Sequence, residues 1–155
     1  MSAVYNPGQV YRVGKIRYTF RGQFLWCVLP SGRPLAYAKP DIRPRKTPWG
    51  DVKDALTYMG VNSYTRKWQR IGAYGGLLAE NVTQAVARDL MAEAMLRVDD
   101  AGYPVVLTVH DEILTETPVG HGSPEHFATL MTQVPGWAEG VPVAADVWEG
   151  DRYRK

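Results

Sequence analysis

Cysteine is almost absent: one residue of 155, Cys27, carries a thiol. That excludes an internal disulfide framework and fits a reducing compartment. Within Phe24-Leu-Trp-Cys-Val-Leu it reads as a small buried hydrophobe rather than a nucleophile. Also lacking are an apolar run long enough to cross a bilayer and a signal-peptide pattern at the start. We therefore expect no membrane partner and a cytoplasmic location. No internal repeat or low-complexity tract is visible, which excludes a repeat array. Histidines number three, and His121 and His126 are too isolated for a metal site. A large excess of one charge is missing too: the net charge of +2 is only mildly basic and says little about nucleic acid.

What remains is ordinary for a soluble globular protein, with 45% hydrophobic and 22% charged residues. The length suggests one domain with a useful core. We divide the chain into a leader of little structure over 1–8, marked by a Pro-Gly turn signal, and a single domain over 9–155. Its first part, 9–50, reads as β-ribbon and basic loop. Lys15 to Phe20 alternates polar with apolar, Phe24 to Leu29 is a more apolar strand, and Pro34 to Tyr37 returns after a Pro30-Ser-Gly-Arg turn. Arg43, Arg45 and Lys46, among Pro40, Pro44 and Pro48, read as a loop of positive charge, either solvated or in contact with phosphate. Val52 to Met59 is weakly patterned, with Gly60 ending any element there. Tyr64 and Trp68 stand at helical spacing beside Arg66, Lys67 and Arg70; Trp68 reads as a packing residue, and Arg66 or Arg70 as a phosphate contact.

The remainder, 51–155, turns on one stretch. Residues 101–116 run turn, apolar strand, three polar residues, second strand. Pro104 to Val109 is nearly unbroken in apolar and β-branched residues, the pattern of a strand buried on both faces. Ile113 to Glu116 alternates as a half-exposed strand does. His110, Asp111 and Glu112 thus fall at the tip of a β-hairpin. Tight turns favour aspartate for conformational reasons, so the run can be solvated punctuation. As chemistry, two adjacent carboxylates suit a pair of Mg²⁺ ions, which take hard oxygen ligands, waters and substrate phosphates.

Before the hairpin comes a helix, Glu80 to Asp100. Val82, Val86, Leu90, Ala94 and Val98 make one apolar stripe, while Asn81, Gln84 and Arg88 share another. Gly102 closes it. After the hairpin, Ser123-Pro-Glu starts a helix that runs through His126 to Val134. Val141 to Trp148 reads as a last strand, and Asp151 to Lys155 as a basic tail. Helix, strand, turn, strand, helix, strand suits an α+β fold, an antiparallel sheet backed by helices behind an N-terminal β-hairpin ribbon.

Gln84-Ala-Val-Ala-Arg-Asp-Leu, followed some twenty residues on by Val109-His-Asp-Glu, resembles the C-terminal palm of family A DNA polymerases, the bacterial DNA polymerase I type. The second run is similar to that family's motif C and the first to the glutamine helix that contacts the primer–template minor groove. Ser31-Gly-Arg33 before Pro40-Asp-Ile resembles the segment after the fingers. Tyr74-Gly-Gly-Leu-Leu-Ala-Glu-Asn, Ala101-Gly-Tyr-Pro-Val-Val-Leu and Gly150-Asp-Arg-Tyr-Arg-Lys resemble phage and prophage members. The resemblance covers 9–155 and implies a palm-type sheet. It implies transfer of a nucleotide from a deoxynucleoside triphosphate to a primer 3′-hydroxyl with two Mg²⁺ ions. Asp111 would ligate metal, Glu112 would support it, His110 would stand near the primer end, and Gln84 would sense the minor groove. Arg33, Arg88 and Asn81 would contact DNA, although Asn81 stands three residues before Gln84 where the family has four.

Two parts of the family's pattern are not found: motif A, the Asp with Ser-Gln-Ile-Glu that gives the second metal aspartate, and the fingers helix of motif B. We therefore expect a fragment inactive alone, needing a separate polypeptide or a missing N-terminal part that supplies motifs A and B. Trp26, Trp49 and Trp68 would line a surface toward that part. The rival readings are a non-catalytic duplex-DNA-binding remnant of a prophage polymerase and a small metal-dependent hydrolase.

Overall fold

A computed structural model describes residues 1–46 and 49–153. Thr47 and Pro48 of the basic loop, and Arg154 and Lys155 of the tail, lie outside the described residues. The fold is α+β, as the element pattern implied: the described residues form a six-stranded antiparallel sheet, a two-stranded sheet and three α-helices. The chain forms two compact units, Met1–Ala85 and Val86–Lys155.

In the first unit α1 (Ser2–Tyr5) precedes β1 (Val10–Val13), β2 (Ile16–Arg21), β3 (Phe24–Val28), β4 (Pro34–Lys46), β5 (Val52–Val61) and β6 (Trp68–Ala73). Each strand pairs with the next, so the sheet is a continuous meander. Gly14 and Gly22, at φ +59° and +61°, supply the left-handed residue that the two-residue turns β1–β2 and β2–β3 need. The anticipated ribbon is thus present and is half of a larger sheet.

Residues opposite one another across an antiparallel pair share a face. Tyr18, Cys27 and Leu35 lie in one row, Phe20, Leu25 and Tyr37 in the next, and Ile42, Leu56 and Ala73 in a third, all on one side. Leu25, Cys27, Leu29, Tyr37, Leu56 and Ala73 are buried there. Cys27 is a buried free thiol, as its apolar setting implied.

Three local expectations give way to strand pairing, and a fourth, the unstructured leader, to a short helix. The basic loop is the second half of β4. β4 outruns β3, whose first residue pairs with Ala38, so beyond the register shift between Ala38 and Asp41 its distal part pairs, among the described residues, with β5 alone. An edge of that kind tolerates Pro40 and Pro44, because a proline there need not donate to a ladder. Val52–Val61 is a full strand despite its weak pattern and passes through Gly60. Residues 63–65 are a turn and Trp68 opens β6, so the helical spacing of Tyr64 and Trp68 does not describe their conformation. Trp68 is 60% exposed rather than packed. The leader contains α1, with Ala3 buried.

Helix α2 (Gly75–Asp100) begins five residues before Glu80. Its turns to Ala85 belong to the first unit and the rest to the second. The stripe deepens toward the C-terminus, where Ala94 and Val98 are buried. In the second unit follow β7 (Val105–Val109), β8 (Glu112–Thr115), α3 (Pro124–Thr132) and a 3-10 turn (Gly136–Ala138). The Ser123 hydroxyl caps α3, accepting from the His126 backbone N–H at 3.1 Å. Buried Tyr103 stacks edge-on against His121 and Phe127, and its hydroxyl meets His126 Nδ1 at 2.8 Å. Both histidines are therefore packed around an aromatic ring.

β7 is not buried on both faces: Val106 and Leu107 are 58% and 48% exposed. Among the described residues β7 pairs only with β8, so its apolar sequence is left uncovered. The last strand does not form either, since residues 141–148 have no ladder partner among the described residues and Pro142 lacks a donor. Leu29→Ala, at a fully enclosed site, is expected to lower stability by about 2–5 kcal/mol, measured by chemical denaturation.

Candidate functional site at the carboxylate hairpin

β7 and β8 are joined by His110 and Asp111, and Val109 pairs with Glu112. A two-residue hairpin turn of this hand needs positive φ at its first position. His110 takes it, at +52°. Histidine visits that region more readily than a β-branched or bulky residue does, but at a cost of order 1–3 kcal/mol, and such outliers gather at functional sites. Asp111 follows, exposed at the tip. The geometry excludes a carboxylate held in a neutral core.

Glu112 is half-buried at the start of β8. Its Oε2 accepts from the Tyr153 hydroxyl at 2.7 Å. That bond pushes the Tyr153 phenol up from its ordinary value, since the neutral phenol is the donor and a phenolate would face the carboxylate. Tyr153 escaped the sequence reading: it sits in a closing segment without periodicity, and nothing in its neighbours pointed to a contact 41 positions away.

The other candidates fall as follows. Gln84 is exposed, its amide donating to Glu80 Oε1 at 3.2 Å. The Asn81 amide donates to the Tyr37 hydroxyl at 3.3 Å, and Arg33 Nη2 to the Ala85 carbonyl at 2.9 Å. Arg33 and Asn81 therefore join α2 to the sheet within the first unit. Arg88 is exposed in the second unit, with Nη1 3.5 Å from the Met91 sulfur, a weak acceptor. His110, Asp111 and Glu112 follow one another through the turn into β8, and their side chains do not gather into a three-donor group. Trp49 is 87% exposed and Trp26 half-buried.

Two carboxylates side by side are hard oxygen donors of the kind Mg²⁺ takes. Among the described residues no group of three or more His, Cys, Asp or Glu side chains gathers to hold a metal. The hairpin supplies oxygen donors in smaller number than a metal site needs.

The near-neutral net charge conceals an asymmetry between the units. Met1–Ala85 carries thirteen Lys and Arg against four Asp and Glu, a net +9; Val86–Lys155 carries five against twelve, a net −7. Counting charge by halves would have found this in the sequence.

Over 90% of its length the chain is 40% identical to a DNA polymerase of Bacillus phage SP02, across 140 residues. It spans 21% of that protein's length. No family model matches the chain, and no solved structure matches it. The similarity supports a relation to part of a DNA polymerase. No helix is long and apolar enough to cross a membrane among the described residues.

Tyr18, Tyr37 and Tyr58 have phenols raised chiefly by burial, and Tyr153 has one raised chiefly by Glu112. A raised phenol contributes stability that is whole below the unfolded value near pH 10 and is lost as pH climbs through the folded one. Stability should therefore fall progressively above about pH 10. Spectrophotometric titration is expected to show a late-ionising class of tyrosines from which Tyr153→Phe removes one member; an unchanged curve would refute the Glu112 contact.

Proposed function

We propose that the chain is the C-terminal palm portion of a DNA-directed DNA polymerase of family A, with residues 9–155 as one functional piece and the hairpin as motif C. The observation that carries this reading is Asp111, exposed beside Glu112 at the tip of a two-residue β-turn, in a chain 40% identical to a phage DNA polymerase. Asp111 would hold Mg²⁺, with Glu112 beside it tethered by Tyr153. A bound divalent ion lowers the pKa of a primer 3′-hydroxyl and neutralises charge on the transferring and leaving oxygens.

The rest of the work belongs to side chains. His110, fixed by its left-handed backbone, stands next to Asp111 where a primer end would come. The Gln84 amide NH₂ offers donors, which suit the acceptors that every base pair shows in the minor groove. Arg33, Asn81 and Arg88 support the duplex. The net −7 of the second unit would repel DNA phosphate, so productive approach needs the cation as well as the base-paired primer–template. A second metal-binding aspartate and the nucleotide-gripping helix come from motifs A and B, on another polypeptide or another part of the same protein. Alone, the chain does not extend a primer.

A non-catalytic DNA-binding role gains one specific support, the net +9 of the first unit. It predicts duplex binding indifferent to Asp111 and to Mg²⁺.

The deciding measurement is extension of a labelled primer–template with all four deoxynucleoside triphosphates and Mg²⁺. The chain is assayed alone and then mixed with a polypeptide bearing motifs A and B. Extension is expected only in the mixture and should fall on the order of a hundredfold or more with Asp111→Ala, because charge stabilisation dominates phosphoryl transfer. Extension that survives Asp111→Ala would overturn the assignment.

A further inference from the structure

The face of the six-stranded sheet opposite the core has a composition that folding alone does not explain. Register places on it Arg12 of β1, Arg17 and Arg21 of β2, Arg43 and Arg45 of β4, Lys53 of β5 and Arg70 of β6. All but Arg70 are exposed. Among the described residues of that face the acidic side chain is Asp41. It pairs with Arg43 at 2.6 Å, a contact that holds its carboxyl below the usual range.

Two of these cations sit directly opposite two others. Arg12 faces Arg17 across β1–β2, and Arg45 faces Lys53 across β4–β5. Like charges in directly opposed positions destabilise a sheet. A local rule broken twice on one exposed face, without a structural return, is the mark of a functional surface.

Nor are these side chains loose. Arg70 Nη1 donates to the Thr57 hydroxyl at 3.0 Å and to the Lys39 carbonyl at 3.1 Å, the latter in the register shift of β4. The Arg45 guanidinium lies over Gly72, in the space a Cβ there would occupy. The same face carries aromatic rings. Phe24 and Trp26 pack with centroids 5.4 Å apart, and Trp68 stands 60% exposed at the far end.

We propose that this open face is a binding platform for single-stranded nucleic acid, separate from the carboxylate hairpin. The cations would take phosphates, and Phe24, Trp26 and Trp68 would take bases by stacking, which is sequence-tolerant because every base has a π-face. Six strands about 4.8 Å apart make a platform roughly 24 Å across, room for several nucleotides. A duplex hides its base faces and gains only the charge. The platform does not depend on the assignment of motif C. It uses residues of the first unit alone and calls for no metal.

The test uses the full chain and fluorescence anisotropy of a labelled oligo(dT), beside a duplex of equal length, over a range of salt concentrations without divalent cation. Oligo(dT) should bind more tightly than the duplex. The double variant Arg17→Glu/Arg21→Glu should weaken binding about 25-fold in 0.1 M salt and flatten the salt slope by about 0.7 for each lost phosphate contact. Arg17→Lys/Arg21→Lys should retain binding, which separates charge from a folding defect. Trp68→Ala should cost about tenfold through lost stacking. Asp111→Ala should change nothing here, so failure of the polymerase assignment and failure of the platform are distinguishable. Equal or tighter duplex binding, or binding indifferent to the charge reversal, overturns the proposal. So does low-salt self-association abolished by the same reversal without oligo(dT) binding, which would make the acidic half of a second copy the occupant.

Discussion

A strand hands its successive side chains to opposite sides, and in the six-stranded sheet that alternation separates two incompatible environments by one backbone thickness. On one side Tyr18, Leu25, Cys27, Tyr37 and Leu56 close against one another and the beginning of α2. On the other lie seven cations, six of them exposed. Register fixes both at once, because slipping any strand by one residue would carry arginines into the core and leucines to the surface. The shift at Ala38–Asp41 fits this constraint. Beyond it Ile42 still faces Leu56 and Arg43 still faces out.

The hairpin obeys a different constraint. Its turn has two residues, and the twist of the flanking strands demands a left-handed backbone at the first. Supplying it with His110 rather than glycine keeps an imidazole beside an exposed carboxylate at a conformational cost. Tyr153 then ties Glu112 from the closing segment. The two units thus carry opposite charge: a basic sheet, and an acidic half with an exposed carboxylate at its hairpin tip.

How much could be read beforehand followed the physics. The hairpin was visible because an apolar run, a polar triplet and an alternating run report their conformation locally. The helix and the Ser123 start were visible for the same reason, since capping and the 3.6-residue period act over a few residues. The second half of β4 and all of β5 were not, because prolines and a weak pattern argue against a strand until a neighbouring strand supplies the ladder. Trp68 misled because helical spacing in a short segment carries no weight against pairing with Val61.

By itself the sequence determined the α+β class, the carboxylates at a turn, the stripe of α2 and the likeness to a DNA polymerase, all of which rest on neighbours in the chain or on matched words. Only the tertiary structure decided that β7 is uncovered, that Tyr153 holds Glu112, and that seven scattered cations share one face. The reason is that burial, contact and facing depend on which strands pair and in what register, and that is set by residues tens of positions apart.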